Sequence, residues 1–149
     1  MTEPEKPKLT LLFVDDEASI LSSLRRLFRQ HGYNILIAES GAQGLEILEK
    51  EAVDLVVSDM RMPEMDGAKF LEQVRLHWPH VVRILLTGYA DVTSTIDAIN
   101  RGEIYRYIAK PWDDNDIVLT VRDALERKRL ESENLRLLAL TQRQNEELK

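Results

Sequence analysis

Val53-Asp54-Leu55-Val56-Val57-Ser58 runs directly into Asp59, and this stretch decides the architecture. A short run rich in β-branched residues and closed by a polar residue signals a strand rather than a helix. Two runs of the same kind precede it, Leu9 to Val14 and Tyr33 to Ala38, and two follow it, Val81 to Leu86 and Ile104 to Ile108. Amphipathic segments alternate with these runs. That rhythm of repeated βα units predicts an α/β fold of (βα)₅ form, a mainly parallel sheet with helices on both faces.

The helical segments carry their own punctuation. Ile20, Leu21, Leu24, Leu27 and Phe28 recur at helical spacing, and Gly32 stands where a C-terminal cap would end that helix. Ser40 with Gln43 predicts a capping box for the second helix, whose apolar residues include Leu45, Ile47 and Leu48. Phe70, Leu71 and Val74 mark a third. Asp91 is placed to cap a fourth through Ile96 and Ile99, with Gly102 after it, and Asp113 to Asp116 begins a fifth.

This last helix meets neither Gly nor Pro between Ile117 and Lys149, so it outlasts what a five-stranded domain needs. Leu125, Leu130, Leu135, Leu137, Leu138, Leu140 and Leu148 allow several partial heptads and fix no single register. Two expectations stand side by side: parallel homodimerisation through this helix, or a solvated end. The mixed-sign run Glu126-Arg127-Lys128-Arg129-Leu130-Glu131 reads as a salt-bridged helix face rather than a nucleic-acid patch.

Composition narrows the function classes. With 149 residues, 44% hydrophobic and 31% charged, one compact core is expected. Lys plus Arg number 20 against 26 Asp plus Glu, so the formal charge of -6 argues against direct binding to nucleic acid or anionic lipid. The absence of cysteine excludes disulfides, thiolate metal sites and thiol chemistry. The opening Met1 to Lys8 is a polar leader without an apolar signal-like core, and no apolar run approaches the roughly 18 residues of a membrane span. The expected location is the cytoplasm.

In an open parallel sheet, ligands bind outside the carboxyl ends of the strands. Here the first strand ends in Asp15-Asp16-Glu17, the third in Asp59, the fourth in Thr87-Gly88 and the fifth in Lys110-Pro111. Crowded carboxylates repel unless a cation compensates, and an oxygen-only donor set selects a hard cation such as Mg²⁺. Lys110 adds a second positive charge, and an aspartate at a strand end can serve as a nucleophile. Taken singly, Asp15, Asp16 and Asp59 read as helix caps, Thr87 as a turn residue and Lys110 as a surface charge. Capping alone has no need of a lysine and a hydroxyl facing the acids.

Val14-Asp15-Asp16-Glu17, Ser58-Asp59-Met60-Arg61-Met62-Pro63-Glu64-Met65-Asp66-Gly67, Leu86-Thr87-Gly88 and Lys110-Pro111 together resemble the motifs of the response-regulator receiver domain. The resemblance runs from Lys8 to Leu125 in the family's order. It implies a flavodoxin-like fold and a signalling phosphoacceptor rather than an enzyme. Asp59 would be phosphorylated, taking its phosphoryl group from a phosphohistidine on a sensor histidine kinase or a histidine phosphotransfer protein. Asp16 and Asp59 would ligate Mg²⁺ by side chain, Arg61 by its backbone carbonyl and Asp15 through a water. Thr87, beside Gly88, would bind the phosphoryl oxygens and Lys110 would pair with them. Tyr107 matches the family's switch aromatic, the Lys110-Pro111 peptide is expected to be cis, and the fourth helix, fifth strand and fifth helix would form the output face.

The side chains of Arg61 and Tyr89 are placed to overhang an acyl phosphate and slow its hydrolysis. On this reading residues 1–8 are a leader, 9–125 the receiver and 126–149 a helical extension toward an output domain beyond Lys149. Thr87-Gly88-Tyr89-Ala90-Asp91, Gly102 to Tyr107 and Lys110-Pro111-Trp112 look like receivers that precede HD-GYP cyclic-di-GMP phosphodiesterase domains.

Three other readings compete. A haloacid-dehalogenase-like phosphatase usually places a second Asp two residues after its nucleophile, where this chain has Arg61. A flavodoxin-like cofactor binder needs a phosphate-cradling loop after the first strand, where this chain has acids. A degenerate receiver acting as a phosphorylation-independent dimerisation module has no need of the full set of site residues. His31, His77 and His80 are scattered, Met60, Met62 and Met65 suit packing around the Asp59 loop, and Arg25, Arg26 and Arg29 suit a solvated helix face. Trp112 fits either packing at the start of the long helix or a partner surface.

Overall fold

The computed structural model describes residues 8–88, 96, 99–100 and 103–147, with side chains described as far as Thr141. Five strands, β1 (Thr10–Val14), β2 (Asn34–Ala38), β3 (Leu55–Asp59), β4 (Val82–Thr87) and β5 (Arg106–Ala109), form one sheet in the order β2-β1-β3-β4-β5. Every adjacent pair is parallel. Helices α1 (Ala18–Arg29), α2 (Gly41–Lys50) and α3 (Gly67–His77) connect them, and a C-terminal helix, Asp114–Glu147, closes the chain. Ile96, Ile99 and Asn100 are helical. The rest of the predicted fourth helix, including Asp91 and Gly102, lies outside the described residues, as does Tyr89.

The apolar strand runs are explained by burial on both faces. Leu11, Phe13, Leu55, Val57, Ile84 and Leu86 pack against Leu21, Leu24 and Phe28 of α1 and Ile117, Val121, Ala124 and Leu125 of the C-terminal helix. Their alternate neighbours Leu12, Val14, Val56 and Leu85 face Leu48 of α2 and Phe70, Leu71 and Val74 of α3. The period of two along each strand thus feeds two separate cores. The edge strands β2 and β5 are only partly covered, with exposed residues such as Ile37 and Tyr107.

Local signals set the helix ends. Ser40 caps α2 by accepting from Gln43 N at 3.2 Å, while the Gln43 amide oxygen reaches Glu39 N at 2.7 Å, one residue earlier than a standard capping box. Asp66 caps α3 by accepting from Lys69 N at 2.8 Å. Asp113 Oδ1 caps the C-terminal helix through Asn115 N and Asp116 N. Gly32 follows α1 with φ of +81°, a backbone angle that disfavours side chains.

The C-terminal helix leaves the body by stages. Ala124 and Leu125 are buried. One turn later the Arg127 guanidinium lies 5.9 Å from the Tyr105 ring, and Lys128 Nζ is 4.0 Å from Asp54 Oδ1. Beyond that, Leu130, Leu135, Leu137, Leu138 and Leu140 are all exposed. Arg129 bridges Glu126 and Glu133, and Arg127 bridges Glu131, so the mixed-sign run is a salt-bridged face. No helix among the described residues is long and apolar enough to cross a membrane.

Candidate functional site

β1, β3 and β4 end side by side, and their last residues carry the polar groups. β1 pairs with β3 through Val14↔Ser58, and β3 pairs with β4 through Asp59↔Leu86. Asp15 follows β1, Asp59 ends β3, and Thr87 ends β4. Backbone bonds tie the rim together: Asp15 N donates to Ala38 O at 3.1 Å, Met60 N to Leu86 O at 2.9 Å and Lys110 N to Thr87 O at 2.8 Å. The rim is therefore positioned by the sheet itself.

Within it, Asp15, Asp16 and Asp59 each offer a carboxylate oxygen, all within 4.8 Å of one another. Asp15 is fully buried and Asp59 nearly so, whereas Asp16 is exposed. Lys110 Nζ sits 3.0 Å from Asp15 Oδ2 and 3.0 Å from Asp59 Oδ1. The other Asp15 oxygen accepts from Glu17 N at 2.9 Å. Thr87 is buried, its hydroxyl donating to Gly88 O at 3.3 Å.

Burial pushes the Asp59 carboxyl above its ordinary range, opposed by the hydrogen bond from Lys110 and reinforced by the charge of Asp15. Asp15 is raised for the same first reason, against the lowering effect of the Glu17 N–H and Lys110. For Lys110, burial alone would favour the neutral amine, but its contacts with Asp59 and Asp15 outweigh burial and raise its pKa. The ammonium thus holds together two carboxylates that desolvation and mutual repulsion disfavour.

The other residues singled out in the sequence take varied places. Arg61 is exposed just past the loop's start. Tyr107 is 53% exposed on β5, paired with Leu85 and two residues before Ala109, which pairs with Thr87. The Lys110-Pro111 peptide is cis. Met60 and Met62 are buried and Met65 packs beside them. Trp112 packs on the α1-side core and donates from Nε1 to Asp114 Oδ1 at 3.2 Å, so it belongs to the start of the C-terminal helix. His31, His77, His80, Arg25, Arg26 and Arg29 all lie on exposed surface. A groove of about 730 Å³ lined by Ile20, Arg26, Leu27, Lys110, Trp112 and Asp114 opens beside the rim.

Two residues gained a role that sequence reasoning did not assign. A Cβ on Gly67 would fall 2.2 Å from Asp59 O and 2.8 Å from Met60 Cα, so only glycine lets α3 begin directly behind the Asp59 loop. Gly67 N donates to Met60 O at 2.7 Å across this gap. The signal was a glycine immediately after a capping aspartate. Ser58, fully buried, donates its hydroxyl to Asp59 O at 3.0 Å. Its signal was a lone hydroxyl in an otherwise apolar strand.

A five-stranded parallel sheet with acids and a lysine gathered at its carboxyl edge defines a class of α/β protein that works at that edge. The response regulator receiver domain family matches residues 11–122, and the chain belongs to that family. Among curated relatives, the hydrogenase transcriptional regulatory protein HoxA of Cupriavidus necator is 37% identical over 128 residues, which is 86% of this chain and 26% of the relative. The transcriptional regulatory protein GlrR of Escherichia coli is 37% identical over 116 residues, 78% of this chain and 26% of the relative. The chain therefore spans about a quarter of the length of these relatives.

Solved structures agree in fold. The signal receiver domain of an HD domain-containing protein from Pseudomonas fluorescens Pf-5 superposes with a TM-score of 0.80 at 40% identity, covering 83% of this chain and 98% of that one. A CheY-like response regulator receiver domain protein from Methanospirillum hungatei JF-1 gives a TM-score of 0.80 at 30% identity, covering 84% of this chain and 99% of that one. The α/β fold read from the strand rhythm is thus the receiver fold.

Proposed function

We propose that this receiver domain accepts a phosphoryl group on Asp59 from a phosphohistidine of a sensor histidine kinase or a histidine phosphotransfer protein. The observation that carries the reading is Lys110 Nζ at 3.0 Å from both Asp15 and Asp59, within a group of three carboxylates. An Asp59 oxygen forms the new O–P bond as the P–N bond of the donor breaks and its electron pair returns to the imidazole. Lys110 favours the ionised, nucleophilic form of Asp59 against the effect of burial and pairs with the phosphoryl oxygens. The Thr87 hydroxyl, with the neighbouring Gly88 backbone, binds another of them. The groove beside Lys110 gives the donor protein a place to approach.

The oxygen-only donor set fits Mg²⁺, which prefers carboxylates, carbonyls and phosphate oxygens. Asp16 and Asp59 would hold it by side chain, Arg61 by its carbonyl and Asp15 through water. When bound it neutralises charge as the phosphoryl group arrives. Because the phosphoryl group stays on the domain's own side chain, the domain acts as a signalling acceptor rather than a turnover enzyme. The exposed Tyr107 is in place to turn inward when Thr87 moves toward the phosphoryl group, altering the face formed by the fourth helix, β5 and the C-terminal helix. Arg61, with Tyr89, slows hydrolysis; the phosphoryl lifetime of Arg61→Asn checks this.

Residues 9–125 are read as the receiver and 126–149 as a linker that pairs with a second copy and leads to an output domain. Whole relatives differ in output: the curated ones are transcriptional regulators, and the Pseudomonas receiver belongs to an HD domain-containing protein. The motif around Thr87 and Lys110 favours the HD-GYP kind for this chain. A phosphohistidine donor of this kind fits a cytoplasmic location for the domain. Mg²⁺-dependent labelling by phosphoramidate, followed by intact mass, tests the reading. One phosphoryl group on the wild type and none on folded Asp59→Asn is the expected result; labelling that persists in the variant puts the acceptor elsewhere. Failure of the wild type to label would favour a phosphorylation-independent dimerisation module.

A further inference from the structure

β3 reads Leu55-Val56-Val57-Ser58-Asp59 and is buried at every position. Ser58 is 0% exposed, paired in register with Val14 on one side and Leu85 on the other. A hydroxyl in such surroundings is unfavourable unless it finds a hydrogen-bond partner, and an apolar residue would fill the space without that cost. Its partner is the carbonyl of the very next residue, Asp59, at 3.0 Å.

That carbonyl lies at a break in the ladder. Pairing between β1 and β3 stops at Val14↔Ser58, whereas Asp59 still pairs with Leu86 of β4. On the β1 side, the Ser58 hydroxyl supplies a donor just where the regular strand partner runs out. The same oxygen is the atom nearest to a Cβ built on Gly67, at 2.2 Å, so it is wedged against the first residue of α3. The following carbonyl, of Met60, accepts from Gly67 N at 2.7 Å. Two successive peptide groups after Asp59 are therefore held, the first at its carbonyl by Ser58 and at its N–H by Leu86 O at 2.9 Å, the second by α3. Peptide groups are planar and stiff, so the next carbonyl, that of Arg61, can swing only about its own two dihedrals.

We infer that Ser58 is a positioning residue for the cation subsite, its hydroxyl fixing the Asp59-Met60 peptide and thereby the direction of the Arg61 carbonyl. This rests on the proposed reading of the site, in which that carbonyl is a Mg²⁺ ligand. Mg²⁺ demands near-octahedral geometry, so a misdirected ligand weakens binding even when every ligand is retained. Groups that orient ligands without touching the metal typically affect its affinity for this reason.

The test is calorimetric titration of Mg²⁺ into the full chain for wild type, Ser58→Ala, Ser58→Thr and Asp59→Asn, each first melted without Mg²⁺ to verify cooperative folding. Ser58→Ala is expected to bind about fivefold more weakly, the equivalent of one ordinary hydrogen bond, and Ser58→Thr, which keeps the hydroxyl, to bind like wild type. Ser58→Ala binding as tightly as wild type overturns the inference while leaving the site reading in place. Equal weakening in Ala and Thr variants overturns it too, because packing rather than the hydroxyl would then be responsible. A wild type that binds Mg²⁺ no better than Asp59→Asn instead removes the reading of the site itself.

Discussion

Lys110 Nζ meets Asp15 Oδ2 at 3.0 Å although the two residues are 95 apart in the chain. The same ammonium reaches Asp59 Oδ1 at 3.0 Å. One lysine therefore joins the ends of β1 and β3 to the end of β5 and brings a positive charge to both buried carboxylates.

Replacing it with an apolar residue of similar length separates its electrostatic role from its packing. Lys110→Met leaves Asp15 and Asp59 buried without their shared donor, which is expected to cost about 1–3 kcal/mol in Mg²⁺-free buffer. Urea unfolding with and without Mg²⁺ measures this. Mg²⁺ is expected to restore more stability to the variant than to wild type, because a bound cation replaces the missing charge.

The raised pKa of Asp59 gives a pH signature of definite sign. A carboxyl whose folded pKa lies above its unfolded value, roughly 4, binds protons more readily in the fold. Its contribution to stability is full below the unfolded value and is lost as pH rises through the folded one. Asp59→Asn mimics the protonated form at every pH. In EDTA the variant is expected to melt above wild type at pH 7.5, with the gap closing as pH falls toward 4. A gap that stays constant across that range would contradict the raised pKa.

Gly67→Ala tests the close approach of α3 to the Asp59 loop. A Cβ 2.2 Å from the Asp59 carbonyl must displace backbone rather than a flexible side-chain tip. Overpacking of this kind is expected to destabilise the chain by about 2–3 kcal/mol in urea titrations. Gly32→Ala is a useful contrast: its strain is conformational only, since nothing lies within 4 Å of the added methyl.

The exposed leucines of the C-terminal helix predict self-association. Leu130, Leu135, Leu137, Leu138 and Leu140 are all exposed in the single chain. Sedimentation of the full chain is expected to give a dimer, and of a truncation after Arg127 a monomer. Equal masses for the two would remove the coiled-coil reading.

Much of this molecule was legible locally. Strand runs, the Ser40 cap and the stop at Gly32 depend on residues within a few positions of each other, so the (βα)₅ rhythm could be read directly. Acids and a lysine at strand ends were legible too, because a parallel sheet brings those ends to one edge whatever the strand order. Even the long salt-bridged helix follows from neighbours three and four residues apart.

What the sequence determined by itself, then, is the element order and the list of groups delivered to one rim. Tertiary structure decided which of them meet. Asp15 and Asp16 are adjacent in the chain, yet one is fully buried against Lys110 and the other is exposed. Gly67 gains its role only because the chain after Asp59 brings it within 2.2 Å of the Asp59 carbonyl. Such contacts join residues whose separation in sequence carries no periodic signal, so only the packed sheet, with each strand's register set by its neighbours, determines them.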